Sequence, residues 1–299
     1  MKSRKMLLLV ALVAVLALVL SACGGEAELG TEENPIVWVL VPSSEAEGVL
    51  AGFGEFTDMV FEESGLVIEP FVATSNAAAI EALCSGEAHM GALNTFSSVV
   101  AIQRDCVDVN LVAVRYGSPF YNGQMVAAAD AGVETIADFA GKTFCRADEY
   151  STSSWIIPSL ELRAAGVDPD ADLAGIKDAG GHDLVIISIL EGECEVGASF
   201  VDARSSVEEQ YPDVMDRVKV VSLSADIPND GVQYAKDFPQ ELRDQLNPAL
   251  ISVAASEAGA EALSSAYSWD GLEEHDNSFY DPFLQVLEAA GFDISTLIE

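Results

Sequence analysis

Short apolar runs alternate with longer amphipathic stretches along most of this chain, beginning at residue 36. Residues 36–41, Ile-Val-Trp-Val-Leu-Val, are apolar without a break, the pattern of a strand buried on both faces. Pro42-Ser43-Ser44 stops that run, and Ser43 or Ser44 can cap a helix reaching about Glu63, with Gly65 at its end. A strand over 66–72 follows, then Thr74, Ser75 and Asn76 as caps for a helix over 77–84. A third strand, 90–93, ends on Asn94-Thr95 and leads into a helix over 96–104 and a strand over 109–116.

After Gly117-Ser118-Pro119 the alternation restarts. Strands are expected over 124–129, 142–145, 195–200 and 218–223, with helices over 135–139 and 152–165. Another helix runs from Gly180-Gly181-His182-Asp183 to Ile189, and Asp202 opens one more. Residues 224–230 read as a chain crossing, 232–235 as a strand rejoining the first unit, and 239–255, 258–267 and 278–290 as helices. Strand and helix at this spacing make an α/β protein with mostly parallel sheets. The second unit, 119–230, is inserted into the first, 36–118 and 231–299. Two crossings, near 118–122 and 224–230, form a hinge.

In such sheets ligands sit outside the carboxyl ends of the strands. Ser43-Ser44, Thr74-Ser75-Asn76 and Asn94-Thr95 all fall there. Each group alone is a helix cap, and three on one edge point to a cleft. The densest polar run is Ser151-Thr152-Ser153-Ser154, between the strand ending at Cys145 and the helix carrying Pro158. At a helix start the first backbone N–H groups lack intrahelical partners. Hydroxyls there can cap the helix, and hydroxyls with free N–H groups can equally converge on an anion.

Composition removes several function classes. The chain has 299 residues, 50% hydrophobic, with Lys+Arg 14 against Asp+Glu 49 and a net charge of -35. So acidic a surface cannot neutralise a nucleic-acid backbone and is not drawn to anionic lipid. His89, His182 and His275 are scattered, and cysteine spacing does not suit zinc, so no metal or cofactor is expected. A Gly-x-Ser-x-Gly elbow is also missing, which makes a Ser153–His182 hydrolase a weak alternative.

The N-terminus adds a compartment. Lys2, Arg4 and Lys5 precede an apolar run to Leu20, then Ser21-Ala22-Cys23: a secretory signal over 1–22. The run is short for a membrane span, which needs about 20 residues. Cys23 after Leu-Ser-Ala resembles the lipidation site of bacterial lipoproteins, with 23–35 as a flexible tether. The folded part then meets an oxidising compartment, where Cys84, Cys106, Cys145 and Cys194 allow three disulfide connectivities. Local pairing, Cys84–Cys106 and Cys145–Cys194, suits the strand order above.

Five stretches together resemble the phosphate/phosphite/phosphonate-binding branch of the substrate-binding proteins of ABC importers. They are Val41-Pro42-Ser43, Val72-Ala73-Thr74, Gly117-Ser118-Pro119-Phe120-Tyr121, Ser151-Thr152-Ser153-Ser154 with Pro158, and Ala179-Gly180-Gly181-His182-Asp183. The Ser-Thr-Ser and Gly-His-acid motifs are the specific part. The resemblance implies a two-lobed periplasmic-binding-protein type 2 fold that closes on a tetrahedral oxyanion. Ser151, Thr152 and Ser153 would hold its oxygens, and His182 would donate a further hydrogen bond. Asp183 or Asp202 would accept from a protonated oxygen, and Tyr121 would cover the ligand from the hinge side. Arg146 is the one candidate cation near the serines and reads as a surface residue.

The same resemblance implies a monomer outside the cytoplasm, lipid-anchored at the membrane or in the periplasm, working with a permease and an ATPase. Sulfonate, nitrate or thiamine-like solutes, or a sensor role, are alternatives within binding. Three positions depart from the family pattern: Asn76 stands where a tyrosine is usual, Ser154 replaces a glycine, and His89 an aspartate.

Overall fold

The computed structural model describes residues 27–43, 46–292 and 294. The signal segment, Cys23 and the capping role of Ser44 lie outside them. The described chain forms two mixed sheets joined by two adjacent crossings.

The first sheet has the order β11-β4-β10-β3-β1-β2. Its strands are β1 (Ile36–Leu40), β2 (Ile68–Val72), β3 (Met90–Leu93), β4 (Val107–Val114), β10 (Gly231–Ala235) and β11 (Gly271–Glu274). β1 pairs in parallel with both β2 and β3, whereas β10 runs antiparallel between β3 and β4. β1 lies inside the sheet and is buried along nearly its whole length, as its unbroken apolar run requires. Helix α1 (Ala46–Ser64) lays Val49, Phe53, Phe56 and Val60 against it, a spacing of three to four that makes one apolar face. Trp38 meets Phe53 edge-on at 5.1 Å, and Tyr267 and Trp269 extend the cluster. Burying each such ring is worth roughly 2–3 kcal/mol against solvent.

The second sheet has the order β7-β6-β8-β5-β9. It contains β5 (Phe120–Ala128), β6 (Thr143–Arg146), β7 (Gly175–Asp178), β8 (Val196–Phe200) and β9 (Val218–Pro228). β6 is parallel to β7 and β8, and β5 is antiparallel to β8 and β9. In each sheet most strands thus share one direction: β10 and β11 oppose the rest of the first sheet, and β5 opposes the rest of the second. Disulfides join Cys84 to Cys106 and Cys145 to Cys194.

Two strands escape the hydrophobic pattern. β7 reads Gly-Ile-Lys-Asp and β11 Gly-Leu-Glu-Glu, short edge strands with little to bury. The second crossing is also tighter than residues 224–230 suggest. Phe120 pairs with Pro228 and Tyr121 with Ile227, so both chains leave the second lobe as paired strands. Only Asn229 and Asp230 connect β9 to β10. Asn229 N–H donates to the Pro119 carbonyl at 2.8 Å, and Asp230 O accepts from Ala113 N at 2.9 Å.

Candidate ligand-binding site

The carboxyl ends of β1 and β3 face the start of the serine-rich helix across the space between the sheets. Helix α2 (Asn76–Cys84) begins after Ser75, whose hydroxyl accepts from Ala78 N at 3.1 Å. Helix α3 (Thr95–Gln103) is capped by Asn94, which accepts from Ser97 N at 2.9 Å. In the second lobe, residues 152–156 form a π-helical turn before α4 (Ile157–Ala164). The Ser151 carbonyl accepts from both Trp155 N and Ile156 N at 3.0 Å, which widens this turn relative to an α-helical start. Ser151 Oγ caps it by accepting from Ser154 N at 3.3 Å. Residues 203–207 form a short 3₁₀ turn after β8. Helix α5 (His182–Leu190) starts after Gly180, whose φ of 90° favours glycine.

These elements enclose a cavity of about 30 Å³. A single water needs roughly 10–15 Å³ on the same measure, so the space suits a compact solute. Ser43, Asn76, Asn94, Tyr121, Ser151, Thr152, Ser153 and His182 all line it, as do Arg115 and Asp230. A larger cavity of about 310 Å³ lies on the hinge side and shares Arg115, Tyr121 and Phe200 with it.

The lobes touch across this space. Phe96 N donates to Thr152 Oγ1 at 2.9 Å, and that hydroxyl donates to Asn94 Oδ1 at 3.2 Å. His182 N donates to the Ser43 carbonyl at 2.8 Å, and Asn76 N to Asp148 Oδ2 at 3.3 Å. Asn94 Nδ2 reaches Asn76 Oδ1 at 2.6 Å, fixing both amides. Thr152 therefore stands in the wall with its hydroxyl committed to the other lobe.

Not every expected residue reaches the cavity. The Ser154 hydroxyl accepts from Ala147 N at 2.7 Å and donates to the Ala198 carbonyl at 2.6 Å, tying the turn to β6 and β8. Thr95 donates to the Pro228 carbonyl at 2.6 Å and so braces the hinge. Asp183 lies in the first turn of α5, outside the lining. Asp202 caps the 3₁₀ turn, accepts from Gln124 Nε2 at 3.0 Å and pairs with Arg204 at 2.6 Å. Its carboxylate is thereby turned to its own lobe. Arg146 stacks over Trp155 and pairs with Asp178 at 2.5 Å; its side chain is largely covered rather than on the surface as expected, and it lies outside the cavity lining. His89 Nδ1 accepts from Val37 N at 2.9 Å at the start of β3, far from the cavity lining.

The charged groups in the wall are Arg115 and Asp230, one from each crossing. Arg115 Nη2 meets Asp230 Oδ2 at 2.5 Å. Neither carries a sequence motif. Their position next to the two crossings is the one sequence signal that could have found them, since pockets form preferentially where two domains meet.

His182 Nδ1 lies 2.9 Å from Ser199 Oγ, and Nε2 lies 3.4 Å from Ser151 Oγ. Burial, reinforced by the Arg115 charge, pushes the imidazole down to about 3, so it acts as a neutral partner. Part of the Tyr121 ring is exposed, but its hydroxyl sits in the wall beside Ser153 and Thr95. Burial, with the Asp230 charge, pushes that phenol up to about 12. The cavity therefore offers hydroxyls, the N–H groups of a helix start and a neutral imidazole, with one ion pair at the hinge. Such a set binds an anion chiefly by hydrogen bonds.

Residues 38–280 match the family described as the periplasmic substrate-binding protein of phosphonate ABC transporters. The chain belongs to this family. A phosphate-import protein, PhnD, of Mycolicibacterium smegmatis is 29% identical over 202 residues, covering 62% of this chain and 63% of that protein. The phosphonates-binding periplasmic protein of Escherichia coli is 19% identical over 220 residues, covering 72% and 65%. The chain thus spans a little under two thirds of the length of each of these relatives.

Among solved structures, a binding protein component of an ABC phosphonate transporter from Pseudomonas aeruginosa superposes with a TM-score of 0.78 at 17% identity, covering 86% and 87% of the two chains. PhnD1 from Prochlorococcus marinus, in complex with methylphosphonate, gives 0.75 at 14% identity, covering 87% and 100%. These likenesses establish the two-lobed fold of this phosphonate-family binding protein. No helix among its described residues is long and apolar enough to cross a membrane.

Proposed function

We propose that this protein captures a compact phosphorus oxyanion (phosphonate, phosphite or phosphate) between its lobes and delivers it to a membrane permease. The observation that carries the reading is the cavity between the lobes. A helix start bearing Ser151, Thr152 and Ser153 faces Asn76 and Asn94 across about 30 Å³, with neutral His182 between them. Hydroxyls and free N–H groups there would hold the oxygens. Tyr121 would cover the ligand from the hinge side. The names of the relatives, phosphate import and phosphonate binding, support the same ligand class.

Binding would close the lobes, drawing on the Thr152, His182 and Asn76 contacts, which form only when the lobes meet. The protein works as a receptor, not a catalyst: Ser153 at a helix start is placed to donate, and neutral His182 is engaged by Ser199 and Ser151. Cys23 would tether a monomer to the outer face of the membrane, with 23–35 as the spacer. Calorimetry against phosphate, phosphite, methylphosphonate and sulfate tests the ligand class, and small-angle scattering tests closure. Failure of every phosphorus oxyanion to bind below about millimolar would refute the reading.

A further inference from the structure

The hinge ion pair carries more than closure. The Arg115 guanidinium is held from several sides: Nε donates to the Tyr267 carbonyl at 3.2 Å and Nη1 to Asn229 Oδ1 at 3.2 Å, and the group lies 5.1 Å from the centre of the Tyr121 ring. It is a fixed charge with each partner defined. Asp230 accepts from Arg115 at 2.5 Å and from Trp269 Nε1 at 3.3 Å, both on Oδ2. Oδ1 is what this cavity-lining carboxylate can offer to a solute. A carboxylate oxygen beside an oxyanion is tolerable only if the ligand supplies a proton to it.

Two demands follow. Asp230 asks for a ligand with a hydroxyl. Arg115 cancels the Asp230 charge, so the wall tolerates a ligand with more than one negative charge. When doubly charged, phosphite and methylphosphonate have no O–H left, and sulfate has none in any neutral solution. Orthophosphate keeps one.

Resting on the oxyanion reading above, we propose that Arg115 is a specificity-determining residue that makes this cleft a receptor for orthophosphate in its doubly charged, singly protonated form. The titratable groups facing the pair are Tyr121 from β5, Tyr267 from α6 (Glu257–Tyr267), Tyr280 from the turn before α7 (Asp281–Ala289) and His182 from α5. Burial holds the three phenols above their ordinary range and the imidazole below its own. None of them changes charge near neutrality, whereas the phosphate does.

The test is calorimetry on the full-length protein at about pH 6 and about pH 8, bracketing the second ionisation of a phosphate group. Orthophosphate should bind several-fold tighter at the higher pH, and methylphosphonate several-fold weaker, since it loses the proton Asp230 needs. Arg115→Gln should weaken orthophosphate roughly a hundredfold, as expected when a buried charge loses its partner, and should reverse its pH trend. Orthophosphate weakening with pH alongside methylphosphonate in the wild type would overturn the proposal, as would Arg115→Gln keeping the wild-type affinity and trend. The two wild-type trends decide the matter alone if the variant does not fold. Absence of binding by any oxyanion would instead overturn the reading beneath it.

Discussion

The two sides of the cavity are built on opposite plans. The serine wall is local: Ser151, Thr152 and Ser153 follow one another at a helix start, and their donors are neutral. The hinge wall is assembled from distant chain: Arg115 and Asp230 come from separate crossings and bring fixed charge. A local wall can be swapped as a motif, because its geometry comes from one turn of backbone. The hinge wall exists only when both crossings are in register. Specificity for a class of anion can reside in the first, and discrimination within the class in the second.

The largest effect is expected on the charged side. Asp230→Asn leaves Arg115 without its counter-charge, with both side chains only 12% exposed. A loss of roughly 3 kcal/mol in unfolding free energy is expected, read from urea melts. A loss under about 1 kcal/mol would mean water already screens the pair, and the contrast between the walls would fail.

The neutral side should respond to acid. His182 is held at about 3 in the folded protein against an ordinary value of 6.5, so the unfolded chain binds the extra proton. Stability from this group is complete above about pH 6.5 and falls as pH drops toward 3. By about pH 5 the loss is on the order of 2 kcal/mol. His182→Gln should flatten that part of the stability–pH curve. Parallel curves for the two proteins would show that His182 is solvated and not part of a dry wall.

The smallest effect belongs to the contact where the lobes meet. Thr152→Val keeps the shape but removes the hydroxyl that serves Phe96 N and Asn94 Oδ1. Ligand affinity should fall about tenfold, as the closed state loses about 1–2 kcal/mol, with the circular dichroism spectrum unchanged. Unaltered affinity would assign Thr152 to the second lobe alone.

Much of the fold was legible in the chain. β1, β3 and the helices with an apolar face declare themselves because burial on two faces or on one stripe writes a period into the sequence. β7 and β11 do not, since edge strands bury little. The run to Pro228 was hidden for another reason: β9 is a strand there because it pairs with β5, about a hundred residues away in the chain, not because of its own composition.

The α/β alternation, the hydroxyl-rich helix start and the Gly-Gly-His turn could be read from the chain alone, because caps and turns are local chemistry. Which hydroxyls face the cavity was settled by packing between distant segments. Ser154, alike in sequence to Ser153, spends its oxygen on Ala147 and Ala198. That packing also decided which charges matter, removing Asp202 and Arg146 to partners of their own and bringing Arg115 and Asp230 to the wall. Charge acts through distance in space, and only folding sets that distance for residues that lie far apart along the chain.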